Sequence, residues 1–192
     1  MKMRSQAGFS LAETLLALLL LLLVTLLLAN GVPLAKDAYD RVVVAANARV
    51  MLTNAVSVLR DELATARNVC IGATDNSITY ISANTGATSR IDVEAVGGAV
   101  PKITLQEYID YEPGTVAPTS ALHSTTARDL VPAGSDNRLY VSYTGKPVLS
   151  DKGDYITINN LAVYKTTDTT RNKPMASIEQ LIIRIIIPSA NP

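Results

Sequence analysis

From Phe9 to Ala29 nearly every position is Leu, Ala or Val. From Leu34 to about Arg67 apolar and charged positions recur at helical spacing, and after Cys70 the pattern becomes short and strand-like. The first block, residues 9–29, holds 21 residues; at about 1.5 Å per residue such a helix crosses a hydrocarbon core of about 30 Å. Asn30-Gly31-Val32-Pro33 interrupts it. Proline removes a backbone hydrogen bond and bends a helix, so a kink is expected near Pro33, followed by an amphipathic half over residues 30–68. There Ala38, Val42, Ala45, Leu52, Val56, Leu59 and Leu63 form a stripe at helical spacing, which predicts a core-facing side. Lys36, Asp37, Asp40, Arg41, Asn47, Arg49, Arg60 and Asp61 occupy much of the remainder.

Residues 69–192 read as a β-rich head. Strands are expected at Ser77–Ser82, Ser89–Val96, Lys102–Tyr108, Arg138–Thr144, Tyr155–Tyr164 and Ser177–Ile187, separated by Thr144-Gly145-Lys146-Pro147 and Ser150-Asp151-Lys152-Gly153-Asp154 turns. Ile91, Val93 and Ala95 alternate with Arg90, Asp92 and Glu94, and the Leu181, Ile183, Ile185 and Ile187 face of the last strand suits the amphipathic helix. A helix followed by antiparallel strands makes an α+β fold. The Pro/Gly/Ser/Thr-rich stretch 111–137 is long for a structureless loop; it is either a functional surface or the cover for a further strand. Thr166–Pro174 is a shorter polar loop.

Composition narrows the function. Lys plus Arg and Asp plus Glu balance at 17 each, so no electrostatic footprint for nucleic acid is evident. The only cysteine, Cys70, excludes an intramolecular disulfide and is expected to be a packed small side chain near the helix end. The only histidine, His123, lacks the partners of a zinc site and is expected to be solvated. No Gly-x-Ser-x-Gly elbow or phosphate-binding glycine motif occurs, and Asp151-Lys152-Gly153-Asp154 is too short for a calcium hand. No catalytic residue, metal ligand or cofactor is expected, and the chain reads as a non-enzyme.

Glu13 changes the picture most. It interrupts the apolar block five residues past Gly8. A carboxylate at the centre of a membrane helix costs about 2.5–3.5 kcal/mol on insertion scales, and less near an end; such a group is functional by default and needs a partner. Lys2 and Arg4 are the only charges before it and favour a cytoplasmic N-terminus with the rest outside. A secretory h-region is about 7–15 residues long and ends in a small-x-small site, whereas Leu27 stands two residues before Ala29, a poor fit to signal-peptidase processing.

The ordered set of a basic leader ending in Gly8, then Phe9, then Glu13, then a leucine-rich helix resembles the N-terminus of type IV pilins and of the pseudopilins of type II secretion and competence systems. The matching motif covers about a tenth of the chain. The resemblance implies a leader of residues 1–8, cleavage between Gly8 and Phe9 by a membrane-embedded prepilin peptidase, and N-methylation of Phe9 by that enzyme. It also implies assembly through the 9–29 helix with other pilin or pseudopilin subunits on a membrane platform. Glu13 would then support assembly rather than cleavage. Physical chemistry gives the same residues those roles. Glycine puts no Cβ in the way of an extended scissile bond. The new Phe9 amine, with a reference pKa of about 7.7–8.0, is largely cationic near neutrality. Pairing that ammonium with Glu13 of an axially offset neighbour offsets the burial of both charges and fixes register, as a single buried polar residue does in a coiled coil.

Within the family, the absence of paired cysteines, the long head and the hydrophobic final strand favour a minor pilin or minor pseudopilin. Two other readings are an uncleaved single-pass membrane protein whose extracytoplasmic β-rich domain binds a ligand, and an extracellular enzyme tethered by the helix.

Overall fold

The computed structural model describes residues 11–72, 76–94, 100–108, 127–131 and 138–186. The fold is α+β: one long helix followed by antiparallel sheets. Helix α1 spans Leu11–Ala64, 54 residues, with Pro33 inside it. The helix continues through Pro33 because proline forfeits a single amide donor, while Leu and Ala on both sides are strong helix formers. The chain divides into two compact units, Met1–Val44 and Ala45–Pro192.

In the described part of the first unit, every residue of α1 from Leu11 to Val42 is exposed. In the second unit α1 buries Ala48, Met51, Leu52, Ala55, Leu59 and Leu63, steps of one, three and four that keep one face in the core. Of the stripe expected from sequence, Leu52, Leu59 and Leu63 are buried, Val56 is half-buried, and Ala38 and Val42 are exposed. The true stripe runs through small residues, Ala48 and Ala55, whose short side chains allow close approach. The helix closes with Ala66 N donating to Leu63 O at 3.3 Å, and Asn68 takes a positive φ of 49°, a left-handed conformation that asparagine tolerates.

The first sheet is an antiparallel meander in sequence order: β1 (Arg67–Ile71), β2 (Ile78–Ile81), β3 (Thr88–Glu94), β4 (Lys102–Tyr108) and β5 (Arg128–Asp129). On β3, Ile91 is buried and Val93 half-buried, while Arg90 and Asp92 form an ion pair at 2.6 Å on the other side. That is the alternation expected at these positions; Ala95 and the Glu94 side chain lie outside the described residues. β5 is the strand concealed in the 111–137 stretch, where the sequence left a surface loop and a hidden strand both open. It has only two residues, with Thr104 opposite Asp129 and Leu105 opposite Arg128. The remainder of that stretch, His123 included, lies outside the described residues apart from Ala127, Leu130 and Val131.

The second sheet is built on β8 (Tyr155–Lys165), with β9 (Ala176–Arg184) along one edge. β6 (Leu139–Tyr143) and β7 (Val148–Leu149) follow one another along the other edge. The register against β8 moves by one residue between β6 and β7, from Tyr143 opposite Leu161 to Val148 opposite Thr157. This bulge needs Gly145: a Cβ there would lie 2.7 Å from the Asn159 Cβ. Asn160 absorbs the local twist with a φ of 52°.

Every residue of β6 is buried. Tyr143 donates its hydroxyl to Asn76 O at 2.5 Å, tying the second sheet to the β1–β2 connection. Tyr140 and Tyr164 stack with centroids 5.6 Å apart, and Val100 packs on them. On β9, Leu181, Ile183 and Ile185 are buried while Ile182 and Arg184 are exposed, which is the face expected from sequence; Ile187 lies outside the described residues. Ile186 N donates to Ala64 O at 2.7 Å, joining the end of β9 to the end of α1.

Candidate functional site

Glu13 stands in the first turn of α1, where a carboxylate is favoured by the helix dipole by about 0.3–1 kcal/mol. It is the only ionisable residue between Leu11 and Ala35. The uncharged polar side chains of this stretch are satisfied by their own helix. Thr14 donates to Leu11 O at 2.8 Å, Thr25 to Leu21 O at 3.0 Å and Leu22 O at 2.9 Å, and Asn30 to Leu26 O at 3.0 Å. Back-bonding of this kind removes the penalty of carrying a hydroxyl or amide into an apolar medium. Leu15, Leu16, Leu18–Val24 and Leu26–Leu28 are all about half to two-thirds exposed. Apolar residues around the whole circumference call for an apolar surrounding, and this helix is long and apolar enough to span a membrane. Of the residues singled out in the motif, the structure places Glu13; Gly8, Phe9, Lys2 and Arg4 lie outside the described residues.

Elsewhere polar clusters close turns and tie elements together. Ser150 donates its hydroxyl to Asp154 Oδ1 at 2.6 Å and accepts the amides of Asp154 and Tyr155. Gly153 takes the left-handed conformation at φ 68°. The group is the β7–β8 turn, and the Ser150 hydroxyl holds the Asp154 carboxyl below its ordinary value. Among the described residues no group of three or more His, Cys, Asp or Glu side chains is arranged to hold a metal ion. Cys70 is a half-buried free thiol on β1; burial pushes its pKa up and lowers its reactivity at neutral pH.

Two features escaped the sequence reading. Tyr80 is fully buried and donates to Glu62 Oε2 at 3.3 Å, coupling β2 to the last turn of α1; burial, then the Glu62 charge, drive its pKa upward. The β8–β9 loop is organised by Asp168. Its carboxylate accepts the Lys173 amide at 2.9 Å, the Thr170 hydroxyl at 2.9 Å and the Asn172 amide at 3.5 Å. Arg171, at φ 58°, reaches Ser142 Oγ and Tyr143 O at 3.4 Å, and Tyr140 donates to Asp168 O at 2.6 Å. The spacing of Asp168 and Thr170 signals such a turn in sequence; the Arg171 contact with β6 is set by the tertiary fold alone.

These features define an α+β protein with an N-terminal helix suited to a membrane span, followed by a two-sheet β unit. No family model, no curated protein and no solved structure matches the chain.

Proposed function

We propose that the chain is a structural subunit of a type IV pilus or of a type II secretion or competence pseudopilus, of the minor pilin kind. It is held in the cytoplasmic membrane by the apolar part of α1, with its N-terminus cytoplasmic and its β unit outside. Prepilin peptidase cuts between Gly8 and Phe9 and methylates the Phe9 amine. The processed chain then joins other pilin or pseudopilin subunits on a membrane assembly platform. The observation that carries this reading is Glu13, the single charge in the first 25 residues of α1, standing four residues beyond Phe9. The ammonium released by cleavage is the counter-charge that makes a carboxylate at that depth tolerable. Met1–Gly8 and its two cations hold the uncut chain at the cytoplasmic face.

Intact mass of the chain purified from cells is the decisive test. Loss of Met1–Gly8 with one methyl added at Phe9 is expected, and an intact N-terminus would reject the reading in favour of an uncleaved single-pass protein. Glu13→Leu is expected to be processed normally and to enter filaments poorly; normal incorporation would refute the charge pairing.

A further inference from the structure

Asn30-Gly31-Val32-Pro33 does not end helix α1, which runs unbroken through it. The Asn30 side-chain amide donates to Leu26 O at 3.0 Å. Pro33 carries no amide hydrogen, so the one group left short is the Ala29 carbonyl. Membrane helices tolerate glycine and proline on such terms, and this turn does not have to sit in water. Val32 and Leu34 beyond Ala29 are 62% and 73% exposed, so a span that stopped at Ala29 would leave both to solvent. No residue from Thr14 to Ala35 is ionisable. Residues 14–35, 22 in all, make about 33 Å of helix at about 1.5 Å per residue. A tilt of about 20° brings that to about 31 Å, which matches a hydrocarbon core of about 30 Å.

The next turn and a half has a different chemistry. Lys36, Asp37, Asp40 and Arg41 are all exposed. Lys36 and Asp40, and Asp37 and Arg41, stand four apart, the spacing at which helical charges can meet. Among the described residues none of the four makes an ion pair or a side-chain hydrogen bond. Tyr39, in their midst, is 69% exposed. By helical spacing it shares a face with Val32, Ala35 and Val42, and the four charges share the other face.

We infer that residues 36–41 form the collar at which α1 leaves the membrane, and that its partner is the phospholipid headgroup layer on the C-terminal side of the span. Lys36 and Arg41 donate to phosphates, while Asp37 and Asp40 accept from headgroup amines. The Tyr39 ring lies against the acyl boundary with its hydroxyl in the wet layer, a position that suits a side chain apolar at one end and polar at the other. The Lys36 stem runs back along the apolar surface and keeps its ammonium outside it. Two charges of each sign suit a layer that presents both phosphates and amines. The same length sets Glu13 of a lone chain at the opposite boundary, where a carboxylate costs less than at the helix centre. Its pairing with a Phe9 ammonium concerns the chain among its neighbours and has its own variant as a test. The collar presupposes the membrane span proposed above, but neither cleavage nor filament assembly.

The chain contains no tryptophan, so one introduced indole reports depth without background. Full-length Leu19→Trp, Val24→Trp and Tyr39→Trp are placed in phosphatidylethanolamine–phosphatidylglycerol vesicles that carry a fluorescence quencher either at headgroup level or at the acyl-chain end. Val24 stands at the middle of residues 14–35 and Leu19 at the middle of residues 9–29. The chain-end quencher is expected to act more strongly on Val24→Trp than on Leu19→Trp, and the headgroup quencher is expected to act on Tyr39→Trp. Stronger chain-end quenching at Leu19→Trp, or a Tyr39→Trp that neither quencher reaches, would move the exit back to Asn30–Pro33 and overturn the collar. Absence of quenching at all three positions would remove the span itself, and the collar with it, whatever the intact mass shows. Adding Lys36→Leu and Asp37→Leu to Tyr39→Trp lengthens the uncharged run and is expected to shift its quenching toward the chain-end probe. An unshifted pattern would mean that these charges do not set the boundary, which would also overturn the inference.

Discussion

Leu20 and Leu59 are the same side chain on the same helix, yet Leu20 is 54% exposed and Leu59 is 0% exposed. The residue type does not separate them; the circumference does. Around Leu20 every helical face is apolar, so no orientation offers one side to a core and another to water. Around Leu59 the buried positions keep to one face while Arg60 and Asp61 remain exposed, so one set of neighbours suffices. The apolar stretch Leu11–Leu34 is thus long and apolar enough to span a membrane, whereas Ala48–Leu63 keeps one face buried within the unit it shares with the sheets.

The largest effect that tests this contrast comes from truncating the two leucines. Leu59→Ala removes a fully buried side chain and should destabilise the β unit by about 2–5 kcal/mol, read as a lowered urea midpoint in detergent solution. Leu20→Ala should leave that midpoint unchanged. Equal losses would mean that the apolar stretch is part of the same core.

The glycines sharpen the contrast at smaller magnitude. A Cβ at Gly31 in α1 meets nothing within 4 Å, whereas at Gly145 it would lie 2.7 Å from the Asn159 Cβ, with the Asn159 carbonyl oxygen at 3.6 Å. Gly145→Ala must displace strand β8 or open the bulge and should cost about 1–3 kcal/mol. Gly31→Ala fills an exposed helix position and should favour the helix by about 0.5–1 kcal/mol. Thermal melts by circular dichroism should therefore move in opposite directions or, for Gly31→Ala, hardly at all. A lowered melt for Gly31→Ala would show that this part of α1 is held by contacts a methyl group disrupts.

How much of this was legible from sequence follows the same division. The apolar stretch and Glu13 are compositional signals, visible without any tertiary information. Lys102–Tyr108 was read with its observed bounds, and five other strands to within a few residues, because alternation and turn residues mark them. The Leu181, Ile183 and Ile185 face was legible for the same reason. The sequence reading carries the helix to residue 68 and marks no strand at Arg67–Ile71, which has no alternation and becomes a strand through pairing with β2, the helix ending at Ala64. The two-residue strands β5 and β7 carry too little pattern to be seen, since each exists by virtue of its partner. Ala38 and Val42 continue the apolar spacing without being buried, because where a stripe stops being covered depends on the reach of the sheets. At the candidate site, the order of Gly8, Phe9 and Glu13 is legible from sequence alone, while the turn chemistry of Asp168 becomes visible once β6 and β8 are in place.

The smallest effect concerns carboxylates in the two regions. Glu13 stands on a helix whose neighbouring residues are mostly apolar, whereas Asp168 sits at the surface, and the Lys173 amide, with the Thr170 hydroxyl and further loop amides, holds its carboxyl below the ordinary 3.8. A depressed folded-state pKa stabilises the fold above the unfolded value, and that stabilisation is lost as pH falls from there through the folded value. The β unit should therefore weaken with acid below about pH 4 partly through this loop. Asp168→Asn can still accept hydrogen bonds but carries no charge to lose, so its stability should depend less on pH in that window while its melt at neutral pH falls slightly. An acid titration of near-ultraviolet circular dichroism for both proteins measures the difference. Parallel acid limbs would mean that Asp168 contributes geometry to the loop without contributing charge, and that the acid response of the unit lies with Asp154 and its Ser150 partner.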